Sequence, residues 1–412
     1  MTAMSLARTY AHHIRQFGPN ARWYLVYSLL SGFAMGFVRL LFNLYVLSLG
    51  HDAATLGILV ALPPIMITVT AIPMGVLGQR IGFRSTLLIG VSLMSVALLG
   101  IPFSGALVGL LLFSGLRGLG NSILQVSNAP YMAENSNVDE RTHLFSVQFA
   151  ARMFANFGGL LLAGVMPLVI AHGFGVGAES PTAYRGALLV GAAIYALSFI
   201  PLLRTQSTPA PEQPQAPVRF KEMFHPPGLL IRLFLPQVVI GLGAGALVPF
   251  LNVFFKTEFG VSDSLLGVLF AAQSVLMAFA TLIGPVLADR WGKTRSVVGL
   301  QLTSVPFLAM LGYVPLFGVS AFAFLCRAAL MNAANPLYTA FAMNKVSERQ
   351  RGTASALMQI SWQGTRALSA IGSGYLQEAS GFAALFPITI VMYLLASGLI
   401  YRFFIRRRRS AT

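Results

Sequence analysis

Twelve runs of about twenty mainly apolar residues, separated by short polar links, leave this chain few ways to fold. A membrane-spanning helix needs ~20 such residues. In lipid every backbone N–H and C=O must be satisfied within its own segment, so each run is read as helix. The runs fall near 23–48, 54–78, 86–105, 107–133, 144–171, 184–203, 229–256, 263–288, 296–314, 317–344, 353–379 and 383–404. Composition agrees. Of 412 residues, 56% are hydrophobic and 10% charged, whereas a soluble domain carries ~25% charged residues. Pro63, Pro64, Pro130, Pro249 and Pro336 fall inside these runs, where neighbouring helices can satisfy the carbonyls a proline frees. The expectation is an all-α membrane protein of twelve transmembrane helices.

The longest polar stretch, residues 204–227, is rich in Pro, Gln and charge. It reads as a linker between two six-helix bundles, residues 23–203 and 228–405, with a polar segment 1–22 before them and a basic tail 406–412 after. With both termini placed in the cytoplasm, 21 of the 28 Lys and Arg fall on the inner side and two, Arg185 and Lys256, on the outer side. Such a bias sets orientation. It also accounts for the net charge of +16 without nucleic acid. The Arg406–Arg409 run reads as an anchor on anionic lipid. The first residues lack the apolar core and cleavage site of a signal peptide, so no cleavage is expected. The single cysteine, Cys326, allows no internal disulfide, and no Cys/His cluster suggests a metal site.

The two halves align at a shift near 210. Gly32, Gly36 and Asn43 match Gly241, Gly245 and Asn252; Arg117 matches Arg327; Arg141 matches Arg351. The loop after the second run reads Gly75-Val-Leu-Gly-Gln79-Arg80-Ile-Gly82-Phe-Arg84, and the loop after the eighth reads Leu287-Ala-Asp289-Arg290-Trp-Gly292-Lys293. The second copy closely resembles the G-x-L-A-D-R-x-G-R/K signature of the major facilitator superfamily; the first departs from it at Gln79. The resemblance extends over the whole chain in span count, loop placement and central linker. It implies two six-helix bundles working by alternating access. It also implies that the loop residues Arg80, Arg84, Asp289, Arg290 and Lys293 gate the cytoplasmic face, with Glu134 at the end of the fourth run standing in for the missing acid at Gln79.

Five charges fall within the spans, and all are arginine: Arg39, Arg117, Arg152, Arg327 and Arg366. Charge inside a membrane is costly and commonly functional, and each must face protein rather than lipid. A guanidinium donates bidentate hydrogen bonds to carboxylate, sulfate or phosphate and stays charged at any working pH. The expected substrate contacts are therefore these five, with Asn43 and Asn252 as polar companions and Trp362, one turn before Arg366, as a stacking surface. For Arg117 and Arg327 a structural role on backbone carbonyls competes with substrate contact.

Gly292-Lys293-Thr294 resembles the end of a phosphate-binding loop, but its first glycine is replaced by Leu287, so no nucleotide cofactor is expected and transport should be secondary. No acid or histidine lies mid-span to titrate during proton coupling. The absence of GxSxG, HExxH or paired mid-span carboxylates argues against an enzyme. The expectation is a secondary or facilitative transporter of a small solute, an organic or inorganic anion. It would sit as a monomer in the cell membrane, its partners being solute and bilayer. The alternatives are a proton-coupled exporter of lipophilic compounds or a lipid flippase of the same fold. In the resemblance, exporters carry a Gly-Pro-rich fifth helix; here Asn156-Phe-Gly158-Gly159 keeps the glycines without the proline.

Overall fold

The computed structural model describes residues 17–206, 227–346 and 351–406. Most of the first segment, the linker stretch 207–226 and the tail from 407 lie outside the described residues. Among the described residues every regular element is helical. In chain order they are α1 (Pro19–Ser48), α2 (Ala53–Ile81), α3 (Phe83–Phe103), α4 (Leu107–Glu134), α5 (Val138–Phe174) and α6 (Pro181–Leu197), which a five-residue turn, Phe199–Leu203, completes. Then come α7 (Pro227–Leu247), a 3-10 turn (Val248–Phe250), α8 (Leu251–Phe259), α9 (Asp263–Trp291), α10 (Lys293–Tyr313), α11 (Phe317–Met343), α12 (Arg351–Ser380) and α13 (Leu385–Ile400), which a π-helical segment, Tyr401–Arg406, continues.

Among the described residues, eleven helical stretches are long and apolar enough to cross a membrane, counting α7 and α8 as one. The 30-residue α12 is long enough but too polar to join them. Its Ser, Thr, Gln and Arg residues cannot all face hydrocarbon, so this helix has to turn a polar face toward protein.

The chain forms two compact units. Unit 1 holds residues 1–45 and 69–214; unit 2 holds residues 46–68 and 215–412. The first part of α2 thus belongs to unit 2, where Gly57 lies backbone to backbone on α12: a Cβ there would meet the Ala370 carbonyl oxygen at 2.7 Å and Gly374 Cα at 3.0 Å. In unit 1, α4 packs on α3 and α6 packs on α3 and α5. In unit 2, α7 packs on α12 and α13, α11 on α9 and α10, and α10 on α13.

The internal repeat is written in the backbone. All six described residues with positive φ are glycines, and they form three pairs. Gly50 with Gly260 and Gly82 with Gly292 are each 210 residues apart; Gly175 with Gly381 are 206 apart. Gly82 (φ 84°, ψ 144°) and Gly292 (φ 81°, ψ 147°) share one conformation, which a Cβ disfavours. Each reverses the chain between two long helices. Thr86 Oγ1 then bonds the Gly82 carbonyl, and Ser296 Oγ the Leu287 carbonyl, pinning the two turns.

Close helix crossings repeat as well. In unit 1, α1 meets α5 at Gly36 and Gly159, and a Cβ on Gly159 would stand 2.0 Å from the Phe33 carbonyl oxygen. In unit 2, α7 meets α12 at Gly245, where a Cβ would stand 2.6 Å from the Arg366 carbonyl oxygen. Here Ser369 and Ser373 of α12 donate to the Leu242 and Ala246 carbonyls of α7, and Thr389 of α13 to Gly243. The seventh span is broken where α1 is continuous: Pro249 lacks an N–H, and a 3-10 turn separates α7 from α8. A cluster of rings secures α8, with Phe254 centred 5.1 Å from Phe386 and Phe255 5.4 Å from Phe324.

Candidate functional site

The polar face of α12 opens on a cavity of about 300 Å³ inside unit 2. Its walls are Gln237 of α7, Asn335 and Thr339 of α11, and Ser355, Met358, Gln359 and Trp362 of α12. From the helical rise, Ser355 lies ~6 Å, Gln237 ~15 Å and Trp362 ~16 Å from the starts of their helices, so the cavity runs inward from one end of the unit and Trp362 lies deepest. The walls offer amide and hydroxyl groups, which donate and accept, beside one flat ring and one thioether. None of the seven is charged.

One turn beyond Trp362, the Arg366 guanidinium lies 5.5 Å from its ring centroid. The indole thus touches the cavity and, within the same helix, a cation. Arg366 is half-buried, and its backbone is clamped by Gly245. Arg327 is placed differently. It is 4% exposed, Nη2 donates to the Tyr393 hydroxyl at 2.7 Å, and its Nε is buried without a hydrogen-bond partner. That bond ties α11 to α13.

Unit 1 brings a second group together on the α1–α5 face. Arg39 Nη1 donates to Asn156 Oδ1 at 3.5 Å, and Asn156 Nδ2 donates to the Gly32 carbonyl at 3.3 Å. Arg152, one turn before Asn156 on α5, lies against Gly32, where a Cβ would meet Arg152 Cγ at 3.1 Å. Arg39 and Arg152 both keep exposed surface, while Asn156 between them is buried. Arg117 stacks on the Phe42 ring at 4.4 Å and is half-buried. The repeat-related Asn43 and Asn252 are 6% and 2% exposed, each inside its own unit. Sequence spacing brings them to equivalent positions, and packing turns both inward.

The loop residues separate by role. Gly82 and Gly292 make the reversals described above. Gly75 has open space where a Cβ would lie, whereas Gly78 rests on the Phe83 ring. Gln79 and Arg80 in the first loop and Asp289 and Arg290 in the second are exposed; Lys293 and Glu134 are half-buried. Arg84 bonds within unit 1, Nε to Thr205 Oγ1 at 3.1 Å and Nη2 to the Leu203 carbonyl at 3.2 Å, holding the end of the α6 segment to the start of α3.

Trp362 is the one wall residue the sequence analysis above singles out; Asn335 and Gln359 are visible in the sequence as amides within spans, while Gln237, Thr339, Ser355 and Met358 carry no such mark. The signal for them is the unusual polarity of α12, whose facing positions on α7 and α11 must be polar too. Among the described residues, no three His, Cys, Asp or Glu are grouped to hold a metal ion.

Among curated proteins none matches this sequence. Solved structures do match its fold. The nucleoside transporter NupG, as a D323A mutant, superposes with a TM-score of 0.80 at 14% identity, over 93% of this chain and all of that one. A bacterial homolog of the human lysosomal transporter Spinster, inward-facing and occupied, gives 0.78 at 16% identity, covering 94% and 97%. A D-xylose-proton symporter gives 0.73 at 17% identity, covering 92% and 97%. The family model of the Major Facilitator Superfamily matches residues 24–370 and again residues 233–412, and the chain therefore belongs to that superfamily of membrane transporters.

Proposed function

We propose that this transporter carries a small organic anion with a hydrogen-bonding body, by alternating access and without nucleotide. The observation behind the reading is the Trp362–Arg366 pair at the floor of the α12 cavity. Amides and hydroxyls on three helices suit a hydroxylated or amide-bearing body, the indole suits a flat or apolar edge, and Arg366 suits a carboxylate or phosphate. Within unit 1, Arg39 is also a mid-span cation with exposed surface, held on Asn156. The five mid-span arginines face no mid-span carboxylate in the sequence, so an anionic solute relieves an electrostatic cost that the protein otherwise carries alone. On the distribution of Lys and Arg, both termini and the two signature loops lie in the cytoplasm. The reading takes the chain as a monomer in the cell membrane.

A second reading has its own support. All seven cavity-lining residues are uncharged, and the structural neighbours include transporters of nucleosides and D-xylose, which are uncharged and hydroxylated. In that reading Arg366 serves only to hold the indole. One thermal-shift screen of the purified protein separates the readings. Hydroxy acids and phosphate esters are predicted to raise the melting temperature, and Arg366→Gln is predicted to abolish the shift. Equal stabilisation by the uncharged sugars and nucleosides favours the second reading. Stabilisation by lipophilic cations alone rejects both, in favour of an exporter.

A further inference from the structure

Within unit 1, α1 and α6 run antiparallel, side by side. A Cβ on Gly191 of α6 would stand 2.6 Å from Phe37 Cβ of α1. Further along, the Arg204 guanidinium lies 4.9 Å from the centre of the Trp23 ring. Beyond that, the Gln206 N–H donates to Asn20 Oδ1 at 2.8 Å, and Asn20 Nδ2 donates to the Gln206 carbonyl at 3.1 Å. The start of α1 and the end of the α6 segment therefore meet at one end of the unit. The reciprocal amide bonds fix them there, and Asn20 Nδ2 also donates to Asn135 Oδ1, just past α4, at 2.7 Å.

Both helices carry an exposed apolar stripe, and each stripe ends in an arginine at that meeting point. On α1 the stripe runs Leu29, Val26, Arg22, at intervals of three and four residues and so on one face. On the α6 segment it runs Ala193, Leu197, Ile200, Arg204, at the same intervals. The large apolar members are 38% (Val26), 42% (Leu29), 53% (Leu197) and 49% (Ile200) exposed, and both arginines are exposed. From Ala193 to Arg204 the helical rise is ~16 Å, about the hydrocarbon depth of one leaflet. Trp23, beside Arg22 in the chain and under Arg204, stands where an indole favours the membrane–water boundary. Neither α1 nor the α6 segment contains an Asp or Glu. The acid that these contacts bring nearest, Glu134 beside Asn135, is half-buried and lies within electrostatic reach of Tyr131, as does Arg84.

We infer that the α1–α6 junction binds an anionic phospholipid. Arg22 and Arg204 take the headgroup phosphate, the Trp23 ring lies at the level of the glycerol, and the acyl chains follow the two apolar stripes. A zwitterionic lipid fills the stripes equally well but gains less from the two cations. In the orientation given by the Lys and Arg distribution, this end lies in the cytoplasmic leaflet, where anionic lipids concentrate. The site lies apart from the residues assigned to the solute, so its failure leaves the anion reading untouched.

The test uses the full chain carrying Trp291→Phe and Trp362→Phe, which leaves Trp23 as its only tryptophan. It is reconstituted in phosphatidylcholine bilayers with increasing fractions of a lipid whose brominated acyl chains quench indole fluorescence on contact. Brominated phosphatidylglycerol is expected to quench Trp23 at a ~5- to 30-fold lower fraction than brominated phosphatidylcholine, about fivefold for each arginine. Arg22→Gln and Arg204→Gln each remove about a fivefold share, and together they remove the preference. Glutamines in place of Arg406–Arg409 leave it intact. Equal quenching by the two lipids in the chain with all its arginines overturns the inference, and that result needs no arginine variant to fold. A preference that survives the double substitution, or that vanishes with the tail arginines, overturns it too. So does loss of the preference in millimolar inorganic phosphate but not in chloride at matched ionic strength, which would assign the arginines to a soluble anion.

Discussion

Gly159→Ala tests the packing that holds the unit 1 arginines in place. A Cβ at this position would lie 2.0 Å from the Phe33 carbonyl oxygen, 2.8 Å from its carbonyl carbon and 3.1 Å from its Cα. Carbon–oxygen contacts between helices normally stand at ~3.3 Å or more, so α1 and α5 must separate by roughly 1.3 Å to admit one methyl group. The obstacle is backbone on both sides, with no side chain to swing away. Overpacking of this kind costs ~1–3 kcal/mol, and a rigid backbone contact puts Gly159→Ala at the upper end, ~3 kcal/mol. For a unit of this size each kcal/mol moves the melting point by ~2–4 °C, which gives a fall of ~6 °C or more. Thermal melting followed by intrinsic fluorescence reads the change, since Trp23 belongs to unit 1. Gly115→Ala is the control. A Cβ there meets nothing within 4 Å, so helix propensity alone predicts a gain of ~0.5–1 kcal/mol. Gly36→Ala strikes the same crossing, 2.6 Å from the Gly159 carbonyl carbon, so the double variant loses less than the sum of the two. A Gly159→Ala protein that melts within a degree of the native one refutes the reasoning.

Three further outcomes follow from the fold. Gly82→Ala and Gly292→Ala, which strain the same backbone conformation, should each cost ~1–2 kcal/mol in melting experiments, by similar amounts in the two repeats. Tyr393→Phe removes the acceptor from the buried Arg327 and should destabilise by ~1–3 kcal/mol, read as a lower melting temperature. Asp52 caps α2 by accepting from the Thr55 N–H at 2.7 Å, and that bond holds its carboxyl below the usual carboxylate range. A depressed carboxyl stabilises above its ordinary pKa and loses that contribution as pH falls below about 4. Asp52→Ala should therefore lower stability slightly at pH 7, by ~1 kcal/mol or less for so exposed a cap, with the difference fading in acid.

Much of the architecture was legible because bilayer chemistry leaves little freedom. Apolar length marks where the helices run, the polar α12 excepted, and four of the six glycines that reverse or end them keep the 210-residue repeat spacing. Two things were less visible. Pro249 is plain in the sequence, but other prolines, among them Pro102, Pro130, Pro167 and Pro336, sit within helices without opening a 3-10 break like that of the seventh span; just before that break the Ala246 carbonyl accepts from Ser373, more than a hundred residues away. The arginines could be counted but not sorted. Arg327 and Arg366 look alike along the chain, yet one is tied to a phenol 66 residues distant and the other stands on an indole one turn away. Which way a mid-helix side chain points depends on neighbours from other helices, and hydropathy does not encode that. The Asn43–Asn252 pair teaches the same lesson: repeat spacing identifies equivalent positions without saying whether they are open or buried.

Counterflow into liposomes reconstituted with the purified chain tests the central claim most directly. Vesicles are preloaded with an unlabelled hydroxy acid or phosphate ester that raises the melting temperature, and uptake of the labelled compound is followed without ATP. The account predicts transient accumulation above equilibrium, competed by other anions better than by their uncharged analogues and lost in Arg366→Gln. Accumulation that requires ATP contradicts it, as does uptake that no anion competes and lipophilic cations block.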